Sequence, residues 1–377
     1  MSMLLSKKTY FAVKILNQLS LKMNINPLKA PEHEASIMEH WKYTDKVYIS
    51  CVCITYNQEN YIKDAVDGML AQITDYRFEI IIHDDKSTDS TREILLEYKK
   101  KYPNLIKLVL QDENQYQKGK KITPLAIAEA IGEYIALCEG DDYWININKI
   151  DKQTKIILSN KKIELLIHRS ASLTTSRYMQ KVWSETDHGT EPQQFDFQDV
   201  IIKSGQFSPT ASYFFRKKSF LSIQTQYDKS PIGDLALEIY LGYKGIIYYI
   251  PDIMSVYRIN SNGSWSAETV LNPNKLLKLN YKLKVFFDSL PNEIDVANCA
   301  SKFNKSLSIR HRHIYKTKSI CYLKLGDVSH TYEFISKYIS MRYKIKLLDF
   351  PLLKNSKVFN NVVFLILKKI MLNKEKI

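Results

Sequence analysis

The sequence is poor in cysteine and has no long apolar run, and each shortage limits what the protein can be. Its five cysteines are odd in number and none belongs to a CxxC pair, so neither a disulfide framework nor a cysteine zinc site is expected. Reduced thiols in the cytoplasm are the expectation that follows. Lys7, Lys8 and Lys14 interrupt the apolar residues near the N-terminus, which argues against a signal peptide. No apolar stretch reaches the roughly 20 residues that a membrane-spanning helix needs, so we predict a soluble or surface-bound protein.

Acidic residues are scarce in only one part of the chain. Of the 377 residues, 54 are Lys or Arg and 40 are Asp or Glu, which gives a formal net charge of +14. Residues 1–270 carry 33 basic and 33 acidic side chains, whereas residues 271–377 carry 21 basic and 7 acidic ones. A chain with 45% apolar and 25% charged residues is globular rather than disordered or collagen-like. We therefore predict a helical lead-in over residues 1–46, a main domain over 47–270 and a basic helical region over 271–377.

What the sequence does contain is an alternation of β-prone and helical segments from residue 47 onwards. The apolar run at 47–55 is typical of a strand buried on both faces of a parallel sheet. Helices are expected between the strands, one of them opened by a capping box of Ser90 and Glu93 and another started by Thr123 and Pro124. This order predicts an α/β fold with a parallel sheet. The predicted strands lie at 47–55, 78–83, 105–110, 134–138, 163–168, 211–216 and 245–250, with a further helix at 234–241.

Polar residues follow three of these strands at the point where each strand ends. Because ligands bind beyond the C-terminal ends of the strands in an open parallel sheet, we expect these residues to converge on one edge. Carboxylates brought together in this way repel each other unless a cation or a hydrogen-bonding ligand lies between them. A divalent metal that bridges carboxylate and phosphate oxygens is the simplest such ligand. The three clusters are Thr55-Tyr56-Asn57-Gln58-Glu59, Asp84-Asp85-Lys86-Ser87-Thr88-Asp89 and Glu139-Gly140-Asp141-Asp142-Tyr143-Trp144.

Each cluster also has a purely structural interpretation. Residues 84–89 can be a strand-to-helix turn with capping side chains, Asn57 can cap the helix that follows it, and Asp141 with Asp142 can form a solvated turn. Their recurrence at equivalent positions in the topology favours a shared binding site over three unrelated turns.

Together the three clusters resemble the signatures of inverting family-2 glycosyltransferases of the GT-A fold, and the resemblance covers about residues 47–265. It implies a GT-A glycosyltransferase domain over 47–270, with a nucleotide-binding half at 47–150 and an acceptor half at 151–270. The implied reaction moves a sugar, with inversion, from a nucleotide-diphosphate donor of the UDP type to a hydroxyl of a glycan or lipid-linked acceptor. Many bacterial members of the family build surface polysaccharides in this way.

The resemblance also implies which residues bind the donor and a metal ion. Asp142 would be the ligand of Mg²⁺ or Mn²⁺, with Asp141 helping, and Asp85 would accept a hydrogen bond from the nucleotide base. Glu139 stands at the usual first acidic position of the family's Asp-x-Asp motif, as a longer carboxylate that can reach the ribose. Lys118 would neutralise diphosphate charge or would be a solvated loop residue. The implied donor-binding set is Thr55, Tyr56, Asn57, Glu59, Asp85, Lys118, Glu139, Asp141 and Arg258.

On the acceptor side, residues 233–238 resemble the segment that carries the family's catalytic base. An inverting reaction needs a carboxylate to remove the acceptor hydroxyl proton. Asp234 is the candidate, with Glu238 one turn later as the alternative, unless Asp234 only opposes the dipole of its helix. Arg258 would contact the donor phosphate or form only a salt bridge. Asn260 stands where relatives often have histidine, and an asparagine cannot carry positive charge.

Other classes of protein have a weaker claim on this sequence. A sugar nucleotidyltransferase would usually need a Gly-rich loop with a basic residue after its first strand, and residues 55–61 contain neither glycine nor lysine. The acidic motif after the fourth strand also resembles that of polymerase palms, but the sheet half is neutral and too short, so no nucleic-acid partner is expected. A non-catalytic nucleotide-sugar-binding module stays open as an alternative.

The basic C-terminal region has two main interpretations. Apolar residues recur at helical spacing over 358–372, but such a helix would be only ~22 Å long and could not span a bilayer unaided. It can lie on an anionic inner leaflet, where each nearby Lys or Arg adds about 1 kcal/mol, or it can pack on the catalytic domain. We therefore expect a cytoplasmic protein with residues 271–377 as a candidate contact with the inner face of the membrane.

Overall fold

The computed structural model describes residues 25–174, 180–182, 188–203, 206–259, 261, 265–297 and 299–343. The first half of the predicted lead-in, Asn260 and the predicted amphipathic segment at 358–372 lie outside the described residues. Within the described ranges, none of the helices combines the length and the apolar character that a bilayer span requires.

Strands and helices alternate through the first half of the chain, as the sequence predicts. The strands are β1 (Ile49–Thr55), β2 (Phe78–Asp84), β3 (Ile106–Leu110), β4 (Tyr134–Glu139), β5 (Tyr143–Trp144), β6 (Ile163–Thr174), β7 (Gln180–Val182), β8 (Gln193–Phe195), β9 (Phe214–Arg216) and β10 (Ile246–Ile259). The helices are α1 (Glu34–Met38), α2 (Ile62–Leu70), α3 (Thr91–Lys101), α4 (Ile122–Ala128), α5 (Lys149–Ser159), α6 (Phe197–Ile202), α7 (Lys217–Lys229), α8 (Gly233–Lys244), α9 (Trp265–Leu271), α10 (Pro273–Glu293), α11 (Ala300–Lys324) and α12 (Val328–Tyr343).

One mixed sheet forms the centre of the molecule, with the strand order β3-β2-β1-β4-β9-β6-β10-β5. The first four strands are parallel, which confirms the predicted parallel sheet for this half. β9 then runs antiparallel to both β4 and β6, and β10 runs parallel to β6. In the register of β1, Thr55 lies opposite Asp84 and Ile54 lies opposite Glu139. The three polar clusters therefore leave the sheet at one edge, as expected.

The second half departs from the predicted elements in its lengths and its helices. β6 and β10 are each twice as long as predicted, and the predicted strand at 211–216 is divided into a 3₁₀ turn at Thr210–Ser212 and the short β9. Pro209 precedes this turn, and its carbonyl accepts the Ser212 N–H at 2.9 Å, so the chain bends before it can enter the sheet. Helices α5, α6 and α7 were not predicted.

One predicted helix start is wrong, and one predicted capping box does not form. α3 begins at Thr91, directly after Ser90, as predicted, but the side chain of Ser90 makes no capping hydrogen bond. Asp89 accepts the Thr91 N–H at 3.0 Å instead, and the Glu59 carboxylate from another loop accepts the Ser90 N–H at 3.0 Å. One neighbouring acceptor and one long-range acceptor thus replace the capping box. α4 begins one residue before Thr123, with Lys121 as its N-cap.

The C-terminal helices share a hydrophobic core with one face of the sheet. Phe287 and Leu290 of α10 and Phe303 of α11 are fully buried in the same cluster as Leu165 and Tyr249 of the sheet. α12 packs on α11. The boundary at residue 270 therefore stays a prediction from charge, because the helices that follow it pack on the domain that precedes it.

The opposite face of the sheet buries a lysine and three thiols. Lys149, at the start of α5, is 0% exposed; its Nζ donates to Gln153 Oε1 at 2.8 Å and lies 4.0 Å from the centre of the Trp144 ring. Burial lowers the pKa of Lys149 to about 7. All five cysteines are free, and Cys51, Cys53, Cys138 and Cys321 are buried.

Candidate active site

The loops after β1 and β2 are joined by hydrogen bonds between side chains and backbone. Asn57 N–H donates to Ser87 Oγ at 2.9 Å, and Asn57 Oδ1 accepts the Thr88 N–H at 2.7 Å. Asn57 adopts a left-handed backbone with φ of 53°, which asparagine tolerates better than most residues. Glu59 accepts from the Ser90 N–H. The polar atoms of these two predicted donor-binding residues therefore hold one loop against the other.

The two aspartates at the end of β2 have different partners. Asp84 is 0% exposed and accepts two hydrogen bonds from the Arg92 guanidinium, at 2.9 and 2.7 Å, so it forms a structural ion pair. Asp85 is also buried, and its two carboxylate oxygens accept the N–H groups of Gln115 and Tyr116 at 2.8 and 3.0 Å. A carboxylate can accept about four hydrogen bonds, so Asp85 fixes this loop and keeps acceptor capacity for a ligand.

A surface pocket of about 380 Å³ opens next to these loops. Tyr56 is 39% exposed at its wall, and the Lys118 ammonium is paired with Glu113 at its rim. Aromatic and cationic side chains at one pocket suit a ligand that combines a flat ring with a negatively charged group. The pocket is lined by Tyr56, Lys86, Thr88, Glu113, Asn114, Gln117 and Lys118.

The acidic turn at residues 139–142 closes tightly on the loop after β1. Asp142 N–H donates to the Glu139 carbonyl at 3.0 Å, and Gly140 N–H donates to Ile54 O at 3.0 Å. A Cβ atom at Gly140 would lie 2.8 Å from Thr55 Oγ1. Only glycine allows this approach, which brings Thr55 against the acidic turn.

Asp142 is the most constrained carboxylate of the turn. It is 1% exposed, its Oδ1 accepts the Arg258 N–H at 2.9 Å, and its Oδ2 has no hydrogen-bond partner among the described residues. Burial, followed by the nearby charge of Asp141, raises the pKa of Asp142 well above its ordinary value. Asp141 accepts from Ser261 Oγ at 2.5 Å. A buried carboxylate oxygen without a partner calls for an explanation, and an ion or a ligand group is one.

Arg258 binds inside the protein. Its guanidinium donates to the Asp141 carbonyl at 2.7 Å and forms an ion pair with Asp64. It also lies 4.4 Å from the Tyr143 ring centre and 5.1 Å from that of Tyr61. The structure contains the predicted salt bridge, and the contact of Arg258 with a donor phosphate stays a prediction.

Asp234 lies in the first turn of α8 and faces the acidic turn. Its Oδ2 accepts from Thr210 Oγ1 at 3.3 Å. Burial raises the pKa of Asp234, while the Thr210 hydrogen bond and the Lys121 charge lower it. Burial, followed by the charge of Asp234 and then those of Asp141 and Asp142, raises the pKa of Glu139 well above its ordinary value. The carboxylates of the acidic turn and of α8 thus act on one another.

Glu238, the alternative base, is buried one turn after Asp234 in α8. It is 1% exposed, and its Oε1 accepts from the Ser208 N–H at 3.0 Å and from the Tyr213 hydroxyl. Burial raises the pKa of Glu238 to about 8. Both donors come from the segment that carries Thr210, so Glu238 contacts the segment that bonds to Asp234.

Comparison with known proteins finds a similarity to one family. Residues 50–218 match the family model described as glycosyl transferase family 2. The crystal structure of S. aureus TarS residues 1–349 has the same fold, with a TM-score of 0.54 and 17% identity over 78% of this chain and 80% of that one. The chain is similar to glycosyl transferase family 2 over residues 50–218. The shared fold confirms the expected GT-A α/β fold.

Two bacterial proteins show what this chain resembles in sequence. An uncharacterised protein of Mycobacterium tuberculosis is 32% identical over 232 residues, which are 58% of this chain and 61% of that protein. The poly(ribitol-phosphate) beta-glucosyltransferase of Bacillus spizizenii is 38% identical over 125 residues, which are 30% of this chain and 19% of that protein. The match therefore spans about three fifths of the length of the mycobacterial relative.

The candidate site brings together several of the predicted residues, and it adds one that the sequence analysis missed. Thr55, Glu139 and Asp142 meet at the acidic turn, whereas Lys118 lies at the separate pocket rim. Lys121 was missed, although its charge acts on Asp234. Its place in a basic run with Lys118 was the only signal available.

Proposed function

We propose that this chain is an inverting family-2 glycosyltransferase that moves a sugar from a UDP-sugar to a hydroxyl of a glycan or lipid-linked acceptor. The observation that carries the proposal is the meeting of the acidic turn and Asp234 at the C-terminal edge of the sheet. Asp142 offers a buried oxygen without a partner in the described chain, and Asp234 raises the pKa of Glu139 from the other side. A donor diphosphate and an acceptor hydroxyl would lie between them.

The acidic turn fits a divalent cation that is shared with the donor. No group of three or more His, Cys, Asp or Glu side chains in the described ranges has the geometry of a complete metal site. Mg²⁺ and similar ions are commonly held by one or two carboxylates plus substrate phosphates. Asp142, with Asp141, would hold Mg²⁺ or Mn²⁺ in this way. Such an ion, when bound, neutralises charge on the departing diphosphate.

The donor nucleotide would lie across the loops after β1 and β2. Tyr56 lines the pocket, Thr55 precedes it in the chain and lies against the acidic turn, and Asp85 keeps acceptor capacity, as the base and ribose of a uridine nucleotide require. Asn57 and Glu59 would act indirectly, because they hold the two loops together. Lys118 at the pocket rim would face the negatively charged part of the donor.

Asp234 would act as the general base. Its carboxylate would take the proton of the acceptor hydroxyl while that oxygen attacks the anomeric carbon and the bond to the diphosphate breaks. A base must be ionised to accept the proton, and both the Thr210 hydrogen bond and the Lys121 charge favour the ionised form. Glu238, buried under the loop, would support this site.

The acceptor is proposed to be part of a bacterial surface polysaccharide or its lipid-linked precursor. The named activity of the Bacillus relative, poly(ribitol-phosphate) glucosylation, supports an acceptor of this class. The excess of basic residues after 270 supports a location at the cytoplasmic face of the membrane, where anionic lipids attract Lys and Arg.

A donor screen tests the proposal. Nucleotide release is followed across UDP-, GDP- and dTDP-sugars with Mg²⁺, with Mn²⁺ and with a chelator, and the expected result is metal-dependent turnover of a UDP-sugar. Asp234→Asn should lower turnover by about 10²- to 10⁴-fold while UDP binding persists; Asp228→Asn, on the neighbouring helix, is the matched control. Failure to bind any nucleotide-sugar would refute the proposal. Binding without turnover by the wild-type protein would identify a binding module instead.

A further inference from the structure

Helix α8 carries a second buried carboxylate one turn after the candidate base. Glu238 is only 1% exposed. Its Oε1 accepts from the N–H of Ser208 and from the hydroxyl of Tyr213. These donors stand at the two ends of one short segment, residues 208–213, which we call the 208–213 loop.

The 208–213 loop is closed on itself. Ser208 Oγ and Ser212 Oγ lie 2.8 Å apart, and the Tyr213 hydroxyl lies 3.0 Å from the Ser208 carbonyl oxygen. Ser212 N–H also donates to Pro209 O at 2.9 Å. These hydrogen bonds tie the ends of the loop together, and Glu238 binds both ends.

The same loop connects both sides of the candidate site. Thr210, at its middle, donates to Asp234 at 3.3 Å. Trp144 follows Asp142 by two residues in the chain, and its Nε1–H donates to the Ala211 carbonyl at 3.0 Å. Gln153 Nε2 donates to the Ser212 carbonyl at 3.0 Å. A shift of the loop would therefore move the hydroxyl that orients the base.

We propose that Glu238 is a positioning residue for Asp234. By anchoring both ends of the 208–213 loop to α8, it fixes the Thr210 hydroxyl, and this hydroxyl orients the Asp234 carboxylate. The inference rests on the proposed role of Asp234 as the base. Glu238 itself is buried and does not line the donor pocket, so it acts through the loop.

Removing the Glu238 acceptor should displace the 208–213 loop and lower the rate. Without it, the Ser208 N–H is buried without a partner and the Tyr213 hydroxyl keeps only the Ser208 carbonyl, and an unsatisfied buried donor costs about 1–3 kcal/mol. The loop can relieve that cost by moving. A displacement of a reacting group by about 1 Å can lower a rate by about 10²-fold, so a small relaxation is enough to matter.

The test compares variants that keep or remove the acceptor. Glu238→Met keeps the volume and removes the acceptor, and it should lower kcat by about 10-fold or more with the donor KM and UDP affinity within about 2-fold of wild type. Glu238→Gln keeps Oε1 and should retain most of kcat. Asp67→Leu removes a comparable buried carboxylate, bonded to the Tyr98 hydroxyl at 2.6 Å, and should leave kcat unchanged.

A double-mutant cycle then tests the route through Thr210. Thr210→Val should lower kcat and shift the acid limb of the pH profile to higher pH, because the lost hydrogen bond favours the ionised base. The other titratable groups that interact electrostatically with Asp234 stay in place in this variant; they are Lys121, Glu139, Tyr213, Tyr227 and Glu238. The double variant with Glu238→Met should be no slower than the slower single variant, within about 2-fold. A double variant whose loss of kcat equals the product of the two single losses would overturn the inference.

Hydrogen exchange provides a measurement that does not need activity. The amides of the 208–213 loop should exchange about 10-fold faster in Glu238→Met than in wild type, and at the wild-type rate in Glu238→Gln. Unchanged exchange together with unchanged kcat would overturn the inference. If Glu238→Met does not fold, Tyr213→Phe removes one of the two anchors and carries the same comparisons. If wild type transfers no sugar, the proposed function fails, and the exchange result still decides the anchoring.

Discussion

Replacing the buried Lys149 with methionine should stabilise the protein at neutral pH. The side chain is 0% exposed, and burial lowers its pKa from an ordinary value of 10.5 to about 7. At about 1.4 kcal/mol per pKa unit, keeping this amine out of water costs the fold roughly 4–5 kcal/mol at pH 7. Methionine has no such cost, but it leaves Gln153 Oε1 without its donor, which costs about 1–3 kcal/mol. A net gain of about 2 kcal/mol is expected.

The pH dependence of this gain identifies its cause. Because the pKa of Lys149 is depressed in the folded protein, the cost is complete below about pH 7 and disappears as the pH approaches 10.5, where the unfolded chain also loses its proton. Urea unfolding followed by circular dichroism should show the gain at pH 7 and a loss of about 1 kcal/mol at pH 10, because the cost of the buried amine has then nearly disappeared while Gln153 Oε1 still lacks its donor. Lys152→Met, later in the same helix and paired with Asp252 at the surface, is the control and should change stability by less than about 1 kcal/mol. A Lys149→Met protein that is destabilised at pH 7, or a change in stability that is independent of pH, would refute the reasoning.

Three further predictions concern the site and its support. Asp142→Asn should stabilise the metal-free protein at pH 7 but not below about pH 4, because the folded-state pKa of Asp142 is raised. The same variant should lose any stabilisation by Mn²⁺ with UDP. Thermal unfolding with and without both ligands measures both effects. Lys121→Met should shift the acid limb of kcat/KM to higher pH, because the Lys121 charge lowers the pKa of Asp234; Lys118→Met should leave that limb in place. A chain ending at residue 271 should be insoluble or unfolded by circular dichroism, since Phe287, Leu290 and Phe303 leave the core; a soluble fragment that melts like the full chain would contradict the shared core.

The first half of the fold could be predicted because its signals are local. The run at 47–55 is apolar on both faces, and β1 is indeed buried between β2 and β4. Once the strands are parallel, their C-terminal clusters must share an edge, so the placing of Thr55, Asp84 and Glu139 follows from topology. The second half resisted prediction because β9 has only three residues and joins β4 to β6 in antiparallel pairs. Such short strands are specified by their neighbours in space, not by their own pattern.

The partners of the site residues could not be predicted for a related reason. Arg258 binds Asp142 across 116 positions of sequence, and Glu59 replaces a local cap of α3 from a loop 31 positions away. The residue types at the clusters indicate a binding site, but which of their atoms are engaged internally depends on contacts that no spacing rule encodes. Asn57 is the clearest case, since its amide serves the loops rather than opening to a ligand.

The burial of most of the thiols allows one cysteine to be labelled selectively. Burial raises the pKa of Cys51 to about 12 and raises those of Cys53 and Cys138 as well, so these sulfurs stay protonated and shielded from alkylating reagents. Cys321 is buried too, whereas Cys299, just before α11, is only partly covered. A maleimide dye added to the native protein should therefore attach mainly at Cys299. The unmodified sequence thus provides a single labelling position on the C-terminal helices, from which their distance to a fluorescent nucleotide can be followed in solution.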